Sequence, residues 1–243
     1  LSGVRGLVLK DMTLKGATTA LSSTRDCLGP VFVNNAFGDP AIVENLTITG
    51  FFHTYENFYE GYSGAAIRAD SAATIRGCVI TNNQSSASGG RGGYYPGIAI
   101  RTTSAATLVE GCVVRKNKRT NGSVDEYSAP LVAKGGTIRN CLVADNSSCR
   151  VTGVYATGSA RIVNCTIANN VCNDSSNPGV CAACYGSVDV EFVNCLVTGN
   201  KGKDGTLTPT NTTATATFSY CLMEEPVYRD AAAGDYYVLD GEG

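Results

Sequence analysis

One nine-residue phrase recurs along the chain, and a phrase returning at a near-constant interval restricts the fold more tightly than any local propensity. Its clearest copy is Ile75-Arg76-Gly77-Cys78-Val79-Ile80-Thr81-Asn82-Asn83. It returns at 109–117, 138–146, 162–170 and 192–200, each time with Cys at the fourth place and Asn at the ninth. Two earlier copies put Met12 and Leu46 in the cysteine position, and a degraded last copy carries Cys221. The intervals from Met12 to Cys221 are 34, 32, 34, 29, 24, 30 and 26 residues. A fixed phrase at a variable interval means a constant core with variable loops.

Each place in the phrase has a physical task. The first apolar residue, the Cys and the apolar residue two further on fall on one face of extended chain. The residue before the Cys is Asp11, Asn45, Gly77, Gly111, Asn140, Asn164 or Asn194, types that tolerate the left-handed conformation of a sharp corner. The closing residues Asn83, Asn117, Asn146, Asn170 and Asn200 suit a hydrogen-bonded amide ladder. A second phrase precedes the first in each repeat: 64–68, 97–101, 130–133, 153–156 and 179–182. This pattern predicts an all-β solenoid of about seven three-sided coils. No helical segment separates the strands as a leucine-rich repeat requires, and a β-sandwich would not keep one phrase at one register.

Composition narrows the function classes. The net charge is −2 with only 16% charged residues, so no basic footprint for nucleic acid is expected. No apolar run approaches the roughly 18 residues of a membrane span. The chain opens mid-pattern at Leu1-Ser2-Gly3-Val4 and is expected to be one domain over 1–243, a piece of a longer parent chain, with 224–243 as its closing segment.

Six of the eleven cysteines, Cys78, Cys112, Cys141, Cys165, Cys195 and Cys221, share one register and are expected to stack inward as small hydrophobes. Cys149 and Cys172 follow the closing Asn of successive coils, and strand stacking brings such positions within disulfide reach. A Cys149–Cys172 bridge is therefore expected in an oxidising compartment. Cys181 and Cys184 read as structural, without a redox context, and Cys27 has no evident partner.

The phrase is similar to the repeats of the pectate-lyase-like superfamily of right-handed parallel β-helices, and closest to those of bacterial cell-surface β-helix proteins. The tail 228–239 also resembles the closing segment of such proteins. The resemblance implies an extracellular or cell-surface location, and a fold that hosts lyases, hydrolases, epimerases and adhesins alike. The Asp pair and Gly-His-Gly of polygalacturonase-like members do not occur.

Binding or chemistry is expected on loops that project from the coils. The longest, 51–62, 84–96 and 118–129, leave after the same closing position. Tyr55, Tyr59, Tyr94, Tyr95 and Tyr127 would stack on sugar rings, with Glu56, Glu60, Arg91 and Asp125 as polar partners; the competing reading makes these tyrosines a hydrophobic lid. His53, the only histidine, reads as a packed or exposed side chain. The favoured function is a non-catalytic, adhesin-like or glycan-binding module whose partner is a glycan or cell-surface ligand, with no nucleic acid, no membrane insertion and no cofactor. The alternatives are a polysaccharide lyase or hydrolase acting on an acidic glycan, and a structural spacer. Under the lyase reading Arg68 and Arg101, at one register in adjacent coils with Asp70 close by, grip a uronate carboxylate and Ca²⁺ enters as cofactor; otherwise they are solvated outer-face residues.

Overall fold

The computed structural model describes residues 6–16, 21–22, 29–34, 39–55, 66–87, 97–119, 129–148, 151–173, 182–187, 189–202, 216–223, 228–230 and 235–238. Among them the chain forms four parallel sheets of eight, seven, six and six strands, and a two-stranded antiparallel pair, Tyr228–Asp230 with Asp235–Val238. Successive strands of each parallel sheet come from successive repeats, as a β-solenoid requires. It has about five turns, fewer than the seven expected, and a full turn contributes a strand to each of four sheets, where three sides were expected.

The nine-residue phrase supplies sheets 1 and 2. Sheet 1 holds Ala73–Arg76 between Ala41–Glu44 and Leu108–Glu110. Sheet 2 holds Val79–Thr81 between Thr47–Thr49 and Val113–Arg115. The bend between them is a single residue with positive φ, 53° at Asp11 and Asn45, 54° at Asn140, 52° at Asn164 and 51° at Asn194, as the phrase predicted. Gly77 also has φ +59°, and a Cβ there would lie 2.5 Å from Asn45 Oδ1, so a side chain at this corner would have to displace the Asn45 amide.

A second left-handed bend, at Gly50, Asn82, Lys116, Asp145, Asn169 and Gly199, precedes the closing position. The asparagines after it form the expected ladder. Asn117 Nδ2 donates to Asn146 Oδ1 at 3.1 Å and to Ile80 O at 2.9 Å, and Asn146 Oδ1 also accepts from the Asn117 backbone N–H at 3.0 Å. The same geometry runs from Asn83 to Asn200. Each amide thus satisfies corner groups that strand pairing leaves over, which is the condition for burying them.

Two features differ from the sequence reading. Sheet 3, which includes Phe52–Tyr55, Gln84–Ala87, Lys118–Arg119, Ser147–Ser148 and Val171–Cys172, occupies the starts of the segments expected to be loops at 51, 84 and 118. Its strands are short and mostly polar, so their sequence shows no apolar alternation; pairing with the turns on either side holds them. Sheet 4 is built from Val31–Val33, Ile67–Ala69, Gly97–Thr102, Ala129–Lys134, Val151–Thr157 and Ala182–Gly186. In its last strand Cys184 and Tyr185 pair with Val154 and Tyr155, so the second phrase there is 184–186 and not 179–182.

Inward side chains from sheets 1, 2 and 4, including Val43, Ile75, Ile80, Ile100, Leu131 and Phe192, fill one continuous core. The six ladder cysteines are free thiols, buried except for half-buried Cys221. Each donates to the carbonyl two residues back, as Cys112 does to Glu110 O at 3.4 Å.

Candidate functional site

Alternation along sheet 4 points every second residue outward. Ile67 and Ala69 join the core while Arg68 between them does not; Leu131 and Ala133 do likewise around Val132. Register then stacks Phe32, Arg68, Arg101, Val132, Tyr155 and Tyr185 in one outward column. Two residues further along the strand direction, Asp70, Thr103 and Lys134 each follow the inward residue of their own turn, Ala69, Thr102 and Ala133. Among the described residues, Arg68, Arg101, Lys134 and Asp70 are thereby gathered on a single sheet face over three successive turns.

Asp70 anchors this group. It accepts from Arg68 Nε at 2.8 Å and forms an ion pair with the same guanidinium, and it accepts from Thr103 Oγ1 at 3.4 Å. Arg68 also lies over the Phe32 ring, 5.2 Å from its centroid, a cation–π contact. Arg101 sits in the next turn beside Arg68. Burial, and then the charge of Arg68, hold its affinity for protons below the usual arginine range, with Asp70 opposing. Lys134 is likewise lowered, by burial first and by Arg101 second, again against Asp70. Arg68 and Arg101 are 8% and 6% exposed, so they are not the solvated residues of the competing reading.

Beyond the cations the column becomes aromatic. The Tyr155 and Tyr185 rings stack at 4.8 Å and 4°, and Val132, Val151 and Ala129 pack beside Tyr155 as an apolar cluster outside the solenoid core. The column therefore has a cationic half and an aromatic half, the latter buried except for half-buried Tyr185.

Of the expected loop residues, only Tyr55 is among the described residues. Tyr55 lies in sheet 3 with its backbone opposite Ala87. Glu56, Tyr59, Glu60, Arg91, Tyr94, Tyr95, Asp125 and Tyr127 lie outside the described residues, as does Cys149. The connections that carry these loop residues, 56–66, 88–96 and 120–128, all run from a strand of sheet 3 to the next strand of sheet 4. They thus rejoin the described chain at the starts of the sheet 4 strands that carry Arg68, Arg101 and Lys134. Arg68 and Arg101 pair as the sequence indicated. Lys134 and Thr103 were missed, although aligning Ala133 with Thr102 would have found them. Cys172 is buried and disulfide-bonded. His53 pairs by backbone with Ser85.

A scan against known families matches residues 31–219 to the family described as right handed beta helix region. Neither the curated proteins nor the solved structures give a significant match.

Proposed function

The chain belongs to the right-handed β-helix family, a scaffold on which function lies in displayed side chains rather than in the coils, and we propose that it is an extracellular or cell-surface module that binds an acidic glycan without cleaving it. The observation that carries this reading is the row of Arg68 and Arg101 at one register on the outer face of sheet 4, with Lys134 one turn on and Asp70 bonded to Arg68. Guanidinium groups recognise carboxylate or sulfate in a planar, two-bond geometry, and half-buried Tyr185, stacked on Tyr155, supplies an aromatic ring for sugar contact. The tyrosine-rich segments at 51–62, 84–96 and 118–129, with Tyr55, Tyr59, Tyr94, Tyr95 and Tyr127 and the polar Glu56, Glu60, Arg91 and Asp125, supply ring-stacking and hydrogen-bonding chemistry suited to the same ligand. In this setting the disulfide of Cys172 is read as joining Cys149.

A screen over acidic and neutral glycans, with ultraviolet detection of unsaturated uronates, tests the reading. Retention of polyanionic glycans without new absorbance supports it; retention of neutral glycans alone refutes it.

One observation favours a second reading. Lys134 gives up its proton more readily than a solvated lysine, through burial and Arg101. A lysine so placed suits a general base that removes the proton beside a uronate carboxylate held by the arginines. That reading makes the module a polysaccharide lyase, and the same absorbance assay separates the two.

A further inference from the structure

The free thiols take no part in the reading above, and five of them stack through successive turns from Cys78 to Cys195, with Cys221 at the end of the row. We infer that the end of this row, Cys221 over Cys195, is a two-coordinate site for a soft cation of linear preference, Hg(II) being the best match in charge.

Spacing is the first argument. Cys195 Sγ donates to Val193 O at 3.4 Å and Ile162 O at 3.5 Å, and Cys221 Sγ repeats this with Ser219 O and Phe192 O, both at 3.4 Å. Each sulfur therefore holds the same place in its own turn, and their separation follows the strand spacing of about 4.8 Å. Two collinear metal–thiolate bonds of about 2.3 Å each span about 4.6 Å. A linear ion fits between neighbouring sulfurs with little movement of the backbone.

Ligand number is the second. Among the described residues no three Cys, His, Asp or Glu side chains converge on one point. Zinc, which takes four ligands in structural sites, finds too few here, whereas soft thiolates favour soft metals. Charge is the third. Two thiolates neutralise a divalent ion, while a monovalent ion leaves one negative charge beside an apolar core, which is costly. In the reaction two S–H bonds break, two S–metal bonds form, both protons pass to solvent and nothing is oxidised.

Access places the site at the end of the row. Cys221 is half-buried, whereas Cys112, Cys141 and Cys165 are enclosed. A hydrogen bond with Cys141, followed by burial, pushes the Cys112 thiol up to about 12 against an opposing bond from Cys78, so the inner thiols stay protonated.

The test titrates the reduced full chain with Hg(II), following the sulfur-to-metal charge-transfer absorbance and counting bound ions by native mass spectrometry. Cys221→Val should lose one molar equivalent and keep its thermal midpoint. Cys184→Val, which removes a buried thiol near the row but outside its register, should keep the wild-type count. Equal excess Zn(II) should not displace the ion. If Cys221→Val loses its fold, Cys221→Leu replaces it, since Leu46 fills this register in the chain. Unchanged stoichiometry in the folded variant, displacement by Zn(II), or X-ray absorption showing three or more sulfur ligands overturns the inference.

Discussion

At the scale of single residues, the corner asparagines and the ladder cysteines carry the most weight. Asn146 accepts from Asn117 through N–H and Nδ2 and donates to Val114 O at 2.9 Å and Asn170 Oδ1 at 3.0 Å, all within the interior. Asn146→Leu keeps the volume and deletes the bonds, leaving several buried backbone groups unsatisfied at about 1–3 kcal/mol each. Urea denaturation should show a loss on the order of 3 kcal/mol or more; a loss under ~1 kcal/mol would remove the ladder from the account. The cysteine register gives a sharper contrast. Cys165→Val should cost less than about 1.5 kcal/mol, as a near-isosteric exchange, while Cys165→Asp places a charge in a dry core and should abolish folding. A preserved thermal midpoint in the aspartate variant would contradict inward stacking. These positions were legible because side-chain chemistry dictated them: few residues tolerate φ near +53°, the value at Asn45, and few small hydrophobes substitute for leucine at a buried register.

At the scale of elements, legibility fell with strand length. Sheets 1 and 2 were readable because three alternating residues on each side of a marked corner fix both face and register. Sheet 3 was not, since Lys118–Arg119 and Ser147–Ser148 are two-residue strands whose pairing is imposed by the turns around them. The last strand of sheet 4 was misplaced because Gly179-Val180-Cys181-Ala182 mimics Gly153-Val154-Tyr155-Ala156, and only the stacking of Tyr185 on Tyr155 decides between the two registers. Sheet 1 has a further register device on its outer face: Lys10, Glu44, Arg76, Glu110 and Arg139 follow one another in one column with alternating sign. Arg139 Nε meets Glu110 Oε1 at 2.7 Å and Arg76 Nε meets Glu44 Oε1 at 3.0 Å. Glu110→Lys would set three cations in succession. Its thermal midpoint should fall at low salt and recover as salt is added; a salt-independent effect would show that packing, not charge, is responsible. Between elements, non-reduced peptide mapping should recover Cys149 linked to Cys172. Closure of about two dozen residues contributes on the order of 3 kcal/mol, so reduction should lower the midpoint, and a different partner for Cys172 would reject the pairing.

At the scale of the whole molecule, the coils are committed to packing, and the proposed recognition surface is the outer face of sheet 4. The arginine pair of this surface was visible in the sequence, through the shared register of Arg68 and Arg101. Lys134 was not, because the interval changes from 34 to 29 residues between the phrases that flank its turn. Tyr94→Ala with Tyr95→Ala should weaken glycan binding several-fold and leave the thermal midpoint nearly unchanged; early unfolding would make those tyrosines a hydrophobic lid. The pH dependence has opposite signs in the two functional readings. Lys134 titrates below a solvated lysine, so raising the pH through that lowered value removes one of three positive charges. A binder then loses affinity for polyanions, whereas a lyase using Lys134 as base gains rate over the same range. The most direct test of the central claim is an isothermal titration of a uronate oligosaccharide into wild-type protein and into Arg101→Ala at fixed low salt. Removing one charge-assisted contact worth roughly 1.5–3 kcal/mol should weaken binding about ten-fold or more, with a shallower salt dependence and an unchanged thermal midpoint. Equal affinity in the two proteins, at equal stability, would contradict the assignment of this face as the ligand surface.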